Sequence, residues 1–349
     1  MKKRLAIVMT SGVLAGATTV AAPGVMAQGM TATHENGIEL DLEVGAAYAK
    51  GPDLYDFGVQ VEAGNFDYIR SANKPERISE PGPSVALGLS VPLERFGVDG
   101  RWGQDRIRLD VDGSWFDSSF RQAMDLQSGE YLDTIPITGD ASPGAIASSS
   151  GVVRTKGEFD YDVVFSSLSW ERKFGKRDGA ATFVRVGPAF GYSRQKWDVR
   201  HEPETGGFNR LSEKATAKYL GPMVGARIVK DISQDVSVHV GGELSALHAW
   251  GDFDGSQNAS NFPEAVSVSD DDNSWGARLA IEGGVQFAQV GRARIGIDGF
   301  VSWQSNVPEI VNPQAGPGEN GLDTRDPAYL DYDPGWSAGV RLSVNIPFG

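Results

Sequence analysis

From position 38 the chain alternates. Ile38, Leu40, Leu42, Val44, Ala46 and Tyr48 share one parity, and Glu39, Asp41, Glu43 and Gly45 share the other. Successive strand side chains point to opposite faces, so the pattern predicts a β-strand with one apolar and one polar face. The period recurs. Tyr55, Phe57, Val59, Val61 and Ala63 oppose Asp56, Gly58, Gln60 and Glu62; Val85, Leu87, Leu89, Val91 and Leu93 form another apolar row. Ile107, Leu109, Val111 and Trp115 oppose Arg106, Arg108, Asp110 and Asp112. Further strands are predicted over 159–174, 182–192, 218–228, 236–250, 275–287, 295–303 and 336–348, with a weak piece at 66–72. Within 159–174 the parity is contested. Val164, Ser166, Leu168 and Trp170 compete with Val163 and Phe165, so a bulge is expected there.

The last strand sets the scale. Trp336, Ala338, Val340, Leu342, Val344, Ile346 and Phe348 are apolar, and Ser337, Gly339, Arg341, Ser343 and Asn345 intervene. Its aromatic ends are about 12 residues apart, and a strand tilted by roughly 45° needs about 9–11 residues to cross a hydrocarbon layer. Connectors sort by length. Turns near 175–180, 231–235 and 290–292 are short, whereas 117–158, 193–214, 251–273 and 304–334 are long and polar. Trp115, Tyr192, Tyr219, Trp250, Trp275, Trp303 and Trp336 mark the long-loop ends and Phe348 the other side. Loop asymmetry with aromatic girdles is the pattern of a membrane barrel. The expected fold is all-β: a transmembrane, antiparallel, up-and-down β-barrel of about 12 strands over 38–349, with ten as the alternative.

The N-terminus adds the compartment. Lys2, Lys3 and Arg4 precede an uncharged apolar stretch and a small-x-small site at Val25, Met26 and Ala27, which reads as a secretory signal peptide over 1–27. A periplasmic lead-in over 28–37 follows. Without the leader, 29 basic residues face 46 acidic ones, a net charge of −17 that disfavours nucleic acid as a partner. There is no cysteine, hence no disulfide or thiolate chemistry.

Candidate chemistry lies on the polar face. Arg106, Arg108, Asp110, Asp112, Arg185, Arg227, His239, Glu243, Arg278, Glu282, Arg294, Asp298 and Arg341 are expected to line the lumen. Mixed charges there suit either a water-filled pore with a transverse field or a closed interior of paired ions. Asp270, Asp271 and Asp272 form an acidic rim without metal-ligand spacing. The four histidines show no metal spacing, and no cofactor is implied. Ser237, His239 and Glu243 share a strand face, but i,i+2 residues stand about 6.6 Å apart, too far for direct proton transfer. The outer-membrane phospholipase family uses His-x-Ser facing lipid; here the order is Ser-x-His. No enzyme is expected.

Two stretches resemble known families. An aromatic-ended strand at the C-terminus resembles the assembly signal of Gram-negative outer-membrane barrels, which implies the barrel-assembly machinery as partner of 336–348. Tyr219, Leu220, Gly221, Pro222, Met223, Val224, Gly225, Ala226 and Arg227, leading into 236–251, resemble the Gly-Pro-x-x-Gly hairpin of the major-outer-membrane-protein-like pore-forming family, without that family's cysteines. The resemblance covers about 30 residues and implies a passive pore or abundant surface protein. The expectation is an outer-membrane, porin-like channel for small solutes with a cation-leaning mouth, surrounded by lipid and lipopolysaccharide. The alternatives are a structural or surface-interaction barrel with a plugged lumen and, last, a membrane-embedded hydrolase.

Overall fold

Long two-faced ribbons bury one face only by curling around it, and a closed ring leaves no strand edge unpaired. The computed structural model describes residues 37–50, 58–60, 70–71, 81–97, 105–133, 137–138, 146–147, 151–177, 179–233, 235–260, 264–311 and 327–348. Ten strands make the wall: β1 (Ile38–Lys50), β2 (Gly82–Pro92), β3 (Asp105–Leu126), β4 (Gly151–Arg177), β5 (Ala180–Pro203), β6 (Asn209–Asp231), β7 (Ser237–Ala259), β8 (Val266–Val290), β9 (Ala293–Val311) and β10 (Tyr329–Phe348). Each pairs antiparallel with its neighbours in chain order. β10 then returns to β1 in a continuous register from Ile38↔Phe348 to Lys50↔Trp336.

Ten strands replace the expected twelve. Gly58–Gln60 and Arg70–Ser71, inside the two segments counted as extra strands, instead join a separate small sheet with Tyr131–Asp133 and Ile146–Ala147. Their pairing partner is the connection between β3 and β4, so they cannot also complete the wall. The rest of those segments, the leader and the lead-in up to residue 36 lie outside the described residues.

The strands also extend far into what reads as long loops. β5 runs on to Pro203 and β6 begins at Asn209; β7 runs to Ala259 and β8 begins at Val266. β3 shows why the alternation seemed to stop. Its parity is unbroken, but its chemistry reverses at Trp115 and Phe116. Below that point Arg106, Arg108, Asp110 and Asp112 face in while Ile107, Leu109, Val111 and Trp115 face out. Above it Phe116, Phe120, Met124 and Leu126 face in, and Asp117, Ser119, Arg121 and Asp125 face out. In β4 the contested parity resolves the same way. Val163 and Phe165 face in, and the bulge lies between Phe174 and Lys176, beside the turn.

The barrel therefore has two tiers. The lower tier exposes Leu42, Val44, Val186, Val224, Val240, Leu244, Ile281, Val301, Val340 and Leu342 around its outside. Trp115, Tyr192, Trp250, Trp275, Trp303 and Trp336 are exposed along its upper edge, and Phe348 is exposed below. Twelve residues at about 3.3 Å each and a tilt near 45° give this belt a height of about 28 Å. Tyr219 departs from the girdle: it is buried and faces inward, in step with Gly221 and Arg227. The upper tier is a barrel turned the ordinary way round. Phe116, Phe159, Tyr161, Trp197, Val199, Leu211, Phe253 and Leu330 form its buried core. Phe120 stacks on Trp197 at 5.8 Å and Phe116 on Tyr161 at 5.9 Å.

Truncating a fully buried aromatic costs about 3–5 kcal/mol. Phe116→Ala should lower stability by that amount in a denaturant titration of the detergent-solubilised protein. Val240→Ala on the outer belt should change it by less than about 1 kcal/mol, because Val240 is exposed and its truncation leaves no internal cavity.

Candidate functional site

The lower lumen brings together charges from strands all around the ring. Arg108 on β3 holds Asp110 at 2.8–3.1 Å and reaches Asp41 on β1 at 3.1 Å. Arg185 on β5 joins Asp110 at 2.8 Å to Glu243 on β7 at 3.2 Å. Arg278 on β8 contacts Glu243 at 3.4 Å and, from the opposite wall, Asp112 on β3 at 3.9 Å. Arg341 on β10 pairs with Asp112 and with Glu43 at 3.4 Å, and donates to Ser84 Oγ at 2.7 and 3.0 Å. The result is one chain of alternating sign, from Asp41 through Arg108, Asp110, Arg185, Glu243, Arg278, Asp112 and Arg341 to Glu43. Arg106 with Glu39 at 2.9 Å, Arg227 with Glu171 at 3.9 Å and His239 with Asp298 at 3.0 Å extend the pairing. Glu282 and Arg294 share the lumen-facing parity.

Aromatic and small residues complete this layer. Arg278 lies over the Phe165 ring at 4.3 Å, and Arg341 over Phe300 at 3.8 Å, where ring quadrupole and guanidinium attract. At Gly88 a β-carbon would stand 2.7 Å from the Arg108 guanidinium, so the wall must be glycine for the charges to meet. The side chains of Arg341 and Arg108 are 4 % and 8 % exposed, so both guanidinium groups are buried in this layer.

A second set of contacts lies above it. A bulge between Gln304 and Val307 interrupts the β9–β10 register, and the end of β9 reaches strands across the lumen. Asn306 Nδ2 donates to the Leu247 carbonyl on β7 at 3.2 Å, and Tyr219 Oη on β6 donates to the Asn306 carbonyl at 3.3 Å. Gln195 Nε2, on β5 beyond, donates to the Pro308 carbonyl at 2.6 Å. A β-carbon at Gly276 would stand 2.3 Å from Asn306 Cγ, so that wall position too is glycine by contact. From the other side Ile137, between β3 and β4, is fully buried; its N–H donates to Gln257 Oε1 at 3.1 Å, and its carbonyl accepts from the Ala328 N–H at 2.7 Å. That part of the 117–158 segment folds inward.

The expected lining residues thus share one lumen, mostly as each other's counterions. The acidic rim is divided. Asp270 faces in and accepts from the Leu330 N–H at 2.9 Å, the Asp272 carbonyl accepts from Tyr332 Oη at 2.8 Å, and Asp271 faces out opposite Asp252. Ser84, Phe165, Phe300, Asn306 and Tyr219 were not among the candidates. Phe300 shares parity with Arg294 and Asp298, and Tyr219 with Arg227, so strict periodicity would have found both. Asn306 follows a bulge and carried no such signal.

Near the top, the Thr155 hydroxyl and His201 Nδ1 lie 2.8 Å apart between β4 and β5. Burial pushes the His201 imidazole down to about 3.

The class these features define is a closed ten-stranded antiparallel barrel, apolar outside over its lower tier, with paired ions inside that tier and an aromatic core above. No protein-family model matches the sequence, including any that would support the pore-family resemblance of the β6–β7 hairpin, and no curated protein matches. Among solved structures the chain is similar to the outer-membrane protease OmpT of Escherichia coli, at 8% identity and TM-score 0.42 over 90% of this chain and 98% of that one. It is also similar to a FadL homologue of Pseudomonas aeruginosa, at 8% identity and TM-score 0.24 over 90% of each. At these values the likeness carries no function.

Two outcomes are expected. Arg341→Met strands Glu43 and Asp112 without their shared cation and should cost about 3–5 kcal/mol; adding Asp112→Asn should recover part of it, measured in a double-mutant cycle. For His201, the unfolded chain takes up a proton near pH 6.5 and the folded chain only near 3. Between those values the unfolded state binds more protons, so stability falls as pH falls, by up to about 1.4 kcal/mol per pH unit. Above 6.5 neither state is protonated and the effect vanishes. His201→Asn should flatten the fall in denaturation midpoint between pH 6.5 and 4.

Proposed function

We propose that the chain is a bacterial outer-membrane barrel with a sealed lumen, acting through its extramembrane tier as a structural or surface-interaction protein. Membrane placement is supported by the apolar belt, its aromatic edges and a height of about 28 Å, near the hydrocarbon thickness of a bilayer. Among the described residues no helix is long and apolar enough to cross a membrane. The leader expected at 1–27 would deliver the chain to the periplasm, and β10 would present the assembly signal there. In this reading the chain is not an enzyme.

One observation carries the choice of a sealed barrel over a porin-like channel. Arg278 and Asp112 meet from diametrically opposite strands, with Asn306 and Pro308 at the end of β9 bonded to facing strands above them. A passive pore needs a continuous water path, and these contacts occupy it at two levels. Of the acids expected to bias a pore mouth toward cations, Asp270 accepts from the Leu330 N–H and Asp271 is turned outward.

Planar-bilayer recording tests this. The folded protein should give no stable steps, whereas deleting 305–334 together with Asp112→Ala and Arg278→Ala should produce ohmic conductance. Stable steps from the unaltered protein would overturn the sealed lumen. Heat-dependent gel mobility and flotation with liposomes check the membrane placement separately.

A further inference from the structure

The outer face of β5, β6, β7 and β8 at the girdle carries a patch that its own fold does not complete. Register places Tyr192, Lys218 and Trp250 side by side, continuing to Asn273. One row lower, Phe190, Leu220, His248 and Trp275 are aligned in the same way. All face outward. The His248 ring lies 4.4 Å from Trp250 and 4.8 Å from Trp275, held between them. Trp275 is 69 % exposed, the highest value among the exposed large apolar side chains described.

Two polar groups in this patch have no hydrogen-bond or ion-pair partner among the described residues. Lys218 is exposed and makes no ion pair among the described residues, unlike Arg194 and Lys196 above it, which pair with Asp162 and Asp198. His248 Nδ1 is buried without a hydrogen-bond partner among the described residues. An unpartnered ring nitrogen gains from a hydrogen-bonding group brought to it, and an ammonium at the edge of an apolar belt gains from an anion. Opposite-strand neighbours on a diagonal stand about 7–8 Å apart, a span that one phosphate group can bridge.

The surrounding charges decide where the anion comes from. Asp252 and Asp271 face each other on the next row outward, which continues through Thr216 to Arg194. The two acids repel a free anion arriving from water. Approach along the apolar belt is open, because Leu244 and Leu279 lie below and carry no charge. We infer that Lys218, His248, Trp250 and Trp275 bind the phosphate-bearing headgroup of a lipid, with acyl chains along the belt and sugar or glycerol carbons against the two indoles. This rests on the membrane placement proposed above.

Native mass spectrometry of the full chain in detergent, titrated with diphosphoryl lipid A, phosphatidylethanolamine or inorganic phosphate, tests it. One diphosphoryl lipid A should be retained in preference to phosphatidylethanolamine, and excess inorganic phosphate should not displace it. Lys218→Gln should weaken retention about fivefold, as expected for one cation at a charged lipid surface. Trp275→Leu, which keeps every charge, should weaken it too, and Lys230→Gln at the other end of β6 should leave it unchanged. Equal retention by the unaltered chain and both patch variants would overturn the site, and displacement by inorganic phosphate would overturn the lipid as its source. Heat-dependent mobility confirms that each variant is folded. Flotation of unaltered protein with liposomes separates the two failures: a chain that floats but holds lipid A indiscriminately loses only the site.

Discussion

A strand has a fixed period of two, so a residue that faces inward stays in step with every second residue along its length. Each long strand of this barrel nevertheless adjoins an apolar belt over one part and a polar surface over the other. Parity cannot change without a bulge, so the residue types change instead. β3 exchanges Arg and Asp for Phe, Met and Leu on its inner face at the level where Trp115 points out. The interior then inverts too, ions below and aromatic core above, and the girdle marks the plane of exchange.

Much of the lower tier was legible from alternation alone. Apolar rows such as Ile107, Leu109 and Val111, or Val340 and Leu342, face outward as their parity indicates, and the lumen-facing charges fall where the same counting puts them. The segments taken for loops were missed because their alternation is of opposite sign. Around Arg194, Lys196, Asp198 and Arg200 the polar residues are the outer row, and the inner row of Gln195, Trp197 and Val199 is short and mixed. A search for apolar-out strands passes over it.

What alternation could not supply is which side chains meet across the barrel. Asp112 and Arg278 are 166 positions apart, and only the closed ring with ten strands puts them on facing walls. Counting twelve would have widened the ring and separated them. The inward end of β9 was equally hidden, since a one-residue register shift after Gln304 redirects Asn306 and Pro308 toward the facing strands. A polar segment between two strands looks the same in sequence whether it points into solvent or into the barrel.

The seam between β1 and β10 has a kinetic consequence. Arg341 and Glu43, which meet there, are separated by 298 positions, so the contact that completes the ring joins nearly the two extremes of the wall. Until β10 exists, β1 has an open edge, and no shorter run of strands can close with the same curvature. Such a topology has few local shortcuts and a high entropic cost of closure, which slows folding and leaves adhesive edges exposed meanwhile. Closure of this ring accordingly joins β1 and β10 only after all ten strands are present.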